Sequence, residues 1–280
     1  MLIRCGYEIS YDCWQEVPMV LMLGLVQDRL PDLRSPLQMT FNKEVRAHSY
    51  YDGFGNFCTR VVAPPGRFTV SADFLMHDSG LHDPIAADAV QHEVADLPDD
   101  VMVYLLGSRY CETDKLTDEA WSLFGHTPLG WARVQAICDH VHNRIRFGYE
   151  FARATKTAFE ANQEQRGVCR DYTHLAVAFC RCMNIPARYV TGYLGDIGVP
   201  PVDYPMDFSA WFEVYLGGRW HTFDARHNTP RIGRILMARG RDATDVAIST
   251  AFGRAQLAGF NVITDEVTDE AAALARYNPA

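Results

Sequence analysis

One cysteine in this sequence occupies a position that favours a reactive thiol. Cys169 follows a glycine turn in the segment Arg166-Gly-Val-Cys-Arg-Asp-Tyr-Thr-His-Leu, and apolar residues recur at helical spacing directly after it. We therefore expect Cys169 at or just before the N-terminus of a helix, where backbone N–H groups and the helix dipole stabilise a thiolate. A cysteine in that environment is a candidate nucleophile.

The elements that position Cys169 can be predicted from the residues that follow it. Asn184 and Pro186 end the predicted helix, because proline cannot continue it. Residues 187–194 are then expected to form a strand. The apolar positions that indicate the helix are Leu175, Ala178, Phe179, Cys182 and Met183.

A β-hairpin is predicted farther along the chain, with Gly217 and Gly218 as its two-residue loop. This loop places Trp211 opposite Asp224. Because side chains alternate along a strand, five side chains share one face of the hairpin, whereas His221 points to the other face. The five are Ser209, Trp211, Glu213, Thr222 and Asp224.

The composition is that of a globular protein with an acidic surface. The 280-residue chain has a formal net charge of -9, and an acidic surface disfavours binding to nucleic acid or to a membrane surface. The longest apolar run, within residues 18–26, is far too short for a membrane span. We therefore expect neither of those partners, while the oligomeric state stays open.

The cysteines indicate a reducing compartment. Eight of them are scattered along the chain without a CxxC motif, and the N-terminus has no recognisable signal peptide. These features predict a cytoplasmic protein with reduced thiols. Cys180 and Cys182 diverge on the predicted helix, so we expect no metal site and no other cofactor.

The chain is predicted to have three parts. Residues 1–105 carry short β-forming runs separated by turn clusters, which favours an antiparallel β-sandwich. A second unit over residues 106–265 begins with helices, and a tail over residues 266–280 is expected to fray. The expected strands of the first part cover residues 2–11, 17–25, 45–51, 57–63, 68–75 and 92–94.

Taken together, three sets of residues resemble the transglutaminase-like superfamily of papain-like cysteine enzymes, in its bacterial form. The resemblance spans roughly residues 115–230. The sets are Gly167-Val-Cys-Arg-Asp-Tyr-Thr-His-Leu-Ala, Asn184-Ile-Pro-Ala-Arg, and Ala210-Trp211 with Phe223-Asp224. The resemblance implies an α+β fold in which an N-terminal β-sandwich-like region precedes a papain-like core. It also implies thiol-based acyl transfer or hydrolysis on an amide or peptide substrate.

The family's catalytic residues fall on Cys169 as nucleophile, position 209 as base and Asp224 as the group that orients the base. Position 209 is a serine in this chain, where the family pattern has a histidine before Ala-Trp. Serine cannot accept a thiol proton near neutral pH and return it to a leaving group, as imidazole does. The missing base leaves three hypotheses.

The first hypothesis is a displaced base. His227 lies three residues past Asp224, on a loop that could fold back to the site. His174 lies about one turn along the helix from Cys169, and His221 is the poorest candidate because it faces away.

The other two hypotheses dispense with a histidine. The protein is either a catalytically degenerate binding or scaffolding protein, or an enzyme in which the helix terminus and nearby Arg166 or Arg170 activate Cys169.

Three further residues are candidates for substrate contacts. Gln163 has the spacing before Cys169 at which papain-like enzymes carry an oxyanion-hole glutamine, although Asn162 lies in the same stretch. Trp211 and Tyr172 either line a substrate groove or pack in the core.

Overall fold

The computed structural model describes residues 1–202 and 206–277 and shows a mixed α+β protein, as the sequence predicts. Its strands are β1 (Leu2–Cys13), β2 (Val17–Leu21), β3 (Thr40–Phe41), β4 (His48–Tyr51), β5 (Phe57–Ala63), β6 (Gly66–His77), β7 (Arg146–Phe147), β8 (Arg166–Gly167), β9 (Ala187–Tyr193), β10 (Ser209–Leu216), β11 (Arg219–Phe223), β12 (Ile235–Gly240), β13 (Ser249–Ala251) and β14 (Ala255–Glu266). Its helices are α1 (Thr113–Phe124), α2 (Trp131–Arg144), α3 (Ala158–Glu164), α4 (Cys169–Cys182) and α5 (Glu270–Tyr277). None of the helices in the described residues is long and apolar enough to span a membrane.

Two four-stranded antiparallel sheets form the predicted β-sandwich. Their strand orders are β14-β1-β6-β3 and β13-β2-β5-β4, and they share one hydrophobic core that includes the fully buried Ile9 and Met19. The predicted strand at residues 92–94 is wrong, because the chain there turns into a short 3-10 segment, Val94–Asp96. His92 instead accepts a hydrogen bond from the Gly218 N–H of the hairpin loop at 2.9 Å.

The sandwich contains strands from both ends of the described chain. β14 pairs with β1 and β13 pairs with β2, so residues 249–266 complete the sheets that the first residues begin. The predicted second unit runs to residue 265, but β13 and β14 lie in the sandwich together with the first strands of the chain. The predicted tail carries α5, and the hydroxyl of Tyr277 donates a hydrogen bond to Asp73 of β6.

The second core is built around α4, which is almost entirely buried. This helix packs on the antiparallel sheet β11-β10-β9-β12 and is flanked by α1, α2 and α3. The predicted helix start at Cys169 and the predicted strand at residues 187–194 are confirmed. The hairpin register is also confirmed, since Leu216 pairs with Arg219 and Glu213 pairs with Thr222.

Gly192 allows β9 to pack closely between its two neighbours. It pairs with Ser209 of β10 and with Leu236 of β12. A Cβ atom at position 192 would lie 2.1 Å from the carbonyl oxygen of Ile235 and 3.0 Å from the ring of Trp211. Any side chain here would therefore push apart the strands that set the position of residue 209.

We expect Gly192→Ala to lower the free energy of unfolding by about 1–3 kcal/mol, the usual range for overpacking a close-packed interior. Denaturant unfolding followed by circular dichroism measures the change. The matched control is Gly53→Ala, because no heavy atom lies within 4 Å of a Cβ built there. The control should stay within about 0.5 kcal/mol of the parent protein, and equal stability of the two variants would contradict the packing argument.

Candidate active site

Cys169 is the first residue of α4, and buried polar groups fix the segment before it. A Cβ atom at Gly167 would lie 2.4 Å from Oδ2 of Asp171, so this position requires glycine. The same oxygen accepts the backbone N–H of Val168 at 2.9 Å and lies 3.8 Å from the ammonium of the buried Lys156. The glycine turn and this carboxylate together deliver Cys169 to the helix start.

The environment of the Cys169 thiol favours its protonated form. Burial raises the pKa of Cys169 to about 11, and the negative charges of Asp207 and Asp224 act in the same direction. The positive charge of Arg226 and the backbone N–H of Ala210 oppose this shift without cancelling it. The thiol is therefore protonated near neutral pH unless a neighbouring base takes its proton.

Asp224 and His227 form a hydrogen-bonded pair. Nδ1 of His227 lies 2.8 Å from Oδ2 of Asp224, whose other oxygen accepts the backbone N–H groups of His227 at 3.1 Å and Arg226 at 2.9 Å. Because a carboxylate can only accept, Nδ1 carries the proton and Nε2 is left as a free acceptor. The imidazole is thereby held in the tautomer that can take a proton from a thiol.

Asp224 is buried and ionised because Arg234 lies beside it. The guanidinium donates to Oδ2 of Asp224 at 2.9 Å and to Oδ2 of Asp83 at 2.8 Å. Burial alone would raise the pKa of Asp224, but the charge of Arg234 and the hydrogen bond from His227 hold it well below its usual range. Asp83 also accepts the backbone N–H of Arg231 at 2.9 Å. A residue from the segment after β6 therefore supports the carboxylate that orients His227.

The turn that carries His227 is fastened to α2. The ring of His142 donates from Nδ1 to the carbonyl oxygen of Arg226 at 2.9 Å, and the amide of Asn228 donates to Asp139 at 2.7 Å. Asn228 adopts a left-handed conformation with φ 52°, which asparagine tolerates better than most residues. The loop predicted to fold back toward the site does so in a fixed conformation.

Cys169, Ser209 and His227 line a common cavity of about 330 Å³. Ser209 begins β10 at the position where the resemblance places a histidine. His227 brings an imidazole into the same cavity from the turn after β11, where Asp224 is within reach. The structure thus brings together the four residues predicted to be catalytic.

The other two histidines considered as bases are held elsewhere. His174 is buried between the rings of Tyr110 and Tyr189, and its Nε2 accepts the backbone N–H of Ala243 at 3.1 Å. Burial lowers the pKa of His174 to about 3. His221 donates to a backbone carbonyl of its own hairpin at 3.1 Å and lies outside the cavity that Cys169 and His227 share.

The three predicted substrate contacts are not brought to Cys169. Gln163 lies exposed on α3, outside the cavities that Cys169 lines, so it is not placed to stabilise an oxyanion. The hydroxyl of the buried Tyr172 donates to the carbonyl of Ile145. Trp211 is 2% exposed and stacks under the guanidinium of Arg234. Both aromatic residues therefore pack in the core.

Three further residues belong to this site, although the sequence patterns do not predict them. Asp207 and Arg226 line the cavity from the segments just before β10 and just after β11, where strand alternation gives no direction for a side chain. Arg234 has no local signal either, because its role depends on contacts with distant residues.

No group of three or more histidine, cysteine, aspartate or glutamate side chains could hold a metal ion within residues 1–202 and 206–277.

Comparison with known proteins agrees with the fold. Residues 122–225 match the model of the transglutaminase-like superfamily. The structure of a protein from Cytophaga hutchinsonii, proposed to be a cysteine protease, superposes with a TM-score of 0.83 at 27% identity over 96% of this chain and 92% of that one. An uncharacterised protein of Mycobacterium leprae (strain TN), ML0607, is 35% identical over 94 residues. Those residues make up 32% of this chain and only 33% of ML0607. Helix α4 with Cys169 and the β10–β11 hairpin thus lie within the part of the chain that matches the transglutaminase-like superfamily, so residues 122–225 form a transglutaminase-like core.

Proposed function

We propose that this protein is a cysteine enzyme that hydrolyses a peptide or protein amide or transfers its acyl group to an amine. In this proposal Cys169 is the nucleophile, Asp224 orients the base, and His227 replaces the histidine expected at position 209. The observation that carries the proposal is the Asp224–His227 pair in the same cavity as Cys169.

The proposed reaction begins when Nε2 of His227 accepts the proton of the Cys169 thiol. The sulfur attacks the amide carbonyl carbon, and the C–N bond of the tetrahedral intermediate then breaks as the imidazolium gives its proton to the leaving nitrogen. The thioester that forms is attacked by water or by a second amine, whose proton passes to His227. When the C–S bond breaks, this proton returns to the sulfur, and an acid or a new amide is released.

Two features of the chain would stabilise the charges that develop. The first N–H groups of α4 have no partner within the helix and lie at Cys169, so they can donate to the oxyanion. The carboxylate of Asp224 would stabilise the imidazolium form of His227 through the Nδ1 hydrogen bond. Ser209 would contribute by its small size, because a larger side chain there would compete with His227 for the cavity.

The high pKa of the Cys169 thiol argues against activation by the helix terminus and nearby arginines alone. A degenerate binding or scaffolding protein is the alternative function. Amide turnover that requires Cys169 distinguishes the enzyme from this alternative.

We also propose a cytoplasmic location in a bacterium. This proposal is supported by the eight cysteines, all of which lie in the described residues and are unpaired.

His227→Ala should reduce kcat/KM for amide turnover by about 10²–10⁴, the usual contribution of a general base. Release of amine from N-acylated peptide amides measures the rate. His126→Ala is the matched control, because His126 is exposed in the turn between α1 and α2. Turnover that requires Cys169 but survives in His227→Ala would assign the base elsewhere, and no turnover that requires Cys169 would favour the degenerate protein.

Alkylation of Cys169 should depend on His227. With a pKa of about 11, only about a thousandth of the thiol is ionised at pH 8, and this fraction rises tenfold per pH unit up to the pKa. We expect His227→Ala protein to be labelled by iodoacetamide more slowly than the parent protein between pH 7 and pH 9, because the thiol there depends on His227 to accept its proton. Mass spectrometry of the labelled peptide gives both profiles, and identical profiles would show that His227 does not reach the thiol.

Asp83→Asn should lower kcat/KM for amide turnover by up to about tenfold. The substitution keeps an oxygen that can accept from Arg231 and Arg234 but removes one of the two negative charges that flank Arg234. The positive charge that forms on His227 during the reaction is then less stabilised by its surroundings. Asp88→Asn is the control, because Asp88 lies near the same segment but does not contact Arg234 among the described residues. An unchanged kcat/KM in Asp83→Asn would mean that Asp83 has only a structural role.

A further inference from the structure

Two cavities meet at Cys169. The smaller, of about 330 Å³, is the one that His227 lines, and the larger has about 700 Å³. They share Cys169, Asp207 and Phe208. An amide bound at the sulfur therefore has room on both sides of the bond that breaks.

Proton transfer decides which half of the substrate lies in which cavity. The imidazole that takes the thiol proton must deliver it to the leaving nitrogen, and this requires hydrogen-bond contact. Of the two cavities that border Cys169, only the smaller is lined by His227 in the described part of the chain. The leaving amine must then lie in the smaller cavity, which directs the acyl half into the larger one.

The chemistry of the smaller cavity agrees with this orientation. Beside apolar residues, its lining includes His227 and four charged side chains, Asp196, Asp207, Arg226 and Arg231. Such a surface suits an amine or a water molecule, which are the polar species that leave or attack on this side.

The larger cavity has a different lining. The two arginines that line it within the described residues are already engaged: Arg153 forms ion pairs with Glu160 at 3.0 Å and Glu164 at 2.9 Å, and Arg170 lies over the ring of Tyr110. Much of the remaining wall is apolar or aromatic, and it includes Tyr189, Phe208, Val246, Ile248 and Phe260. A volume of this size suits a ligand of a few residues.

One wall of the larger cavity comes from the β-sandwich. Phe260 of β14 is 40% exposed and meets the ring of Phe208 edge-on, with 5.8 Å between the ring centroids. Residues 249 and 250 of β13 line the same cavity. The sandwich therefore contributes directly to the space beside the nucleophile.

We propose that the larger cavity binds the acyl half of the substrate and selects a large apolar or aromatic side chain, with Phe260 of the sandwich as a specificity-determining residue. The amine half lies in the smaller cavity beside His227. This inference rests on the proposed function, since it is the proton path through His227 that assigns the two halves.

Chloromethyl ketones test the proposal, because they carry only the acyl half of a substrate and alkylate Cys169 without turnover. The measured quantity is the ratio of Cys169 labelling rates for the N-acetyl-phenylalanyl and N-acetyl-alanyl reagents, so the reactivity of the thiol itself cancels. We expect a ratio of about ten in the parent protein, equivalent to about 1.4 kcal/mol. The ratio should fall to about three or less in Phe260→Ala.

The matched control is Phe252→Ala, which removes an exposed phenylalanine from the turn between β13 and β14, outside the cavity. Its ratio should stay at that of the parent. A second variant, Ala247→Phe, places bulk in the cavity wall and should slow only the phenylalanyl reagent. A ratio near one in the parent protein, or one that Phe260→Ala and Ala247→Phe leave unchanged, would overturn the proposal. Amide turnover is measured separately, so its absence would contradict the proposed function without affecting the labelling ratio.

Discussion

The buried carboxylate of Asp224 is the group on which the site depends. Taking one charge out of water is costly, and removing the partner of a buried pair typically costs about 3–5 kcal/mol. Arg234 provides that partner, but its own burial requires a second carboxylate, which Asp83 supplies. Negative and positive charges therefore alternate from Asp83 through Arg234 to Asp224. The carboxylate of Asp224 in turn holds the imidazole of His227. The orientation of His227 therefore depends on Asp83, which lies in the segment after β6 and pairs with Arg234.

This series of charges also explains how the chain can lack a histidine at position 209. What the chemistry needs is an imidazole whose Nδ1 is held by a buried carboxylate and whose Nε2 faces the thiol. In this chain the ring that Asp224 holds belongs to His227, three residues later in the same turn, and position 209 on β10 is a serine. The turn is kept in place by its backbone N–H groups, which Asp224 accepts, and by the contacts of Arg226 and Asn228 with α2. In the proposed mechanism the base therefore comes from the turn after β11, beside the carboxylate that orients it.

Local patterns predicted much of this fold. The start of α4 at Cys169, the register of the β10–β11 hairpin and most strands of the sandwich follow from spacing and turn residues. The return of β13 and β14 to the sandwich could not be predicted, because strand pairing between distant residues leaves no local signal. The same limit applies to Arg234 and Asp83, which lie far apart in the chain. Gln163 does not contact the site, because its spacing before Cys169 does not determine which way its side chain points from α3. Trp211 packs against the guanidinium of Arg234 and does not line a substrate groove.

The pairing of β1 with β14 has a consequence for the order in which the protein matures. β1 has a free edge until residues 255–266 have been synthesised, and such long-range pairing makes folding slow. The core with Cys169 emerges from the ribosome before the strand that carries Phe260. A nascent chain can therefore build the helix and hairpin that hold the nucleophile while the wall beside it is still missing. Because β13 and β14 both complete the sandwich and line the larger cavity, the pairing that closes the sheets also supplies the wall beside the nucleophile.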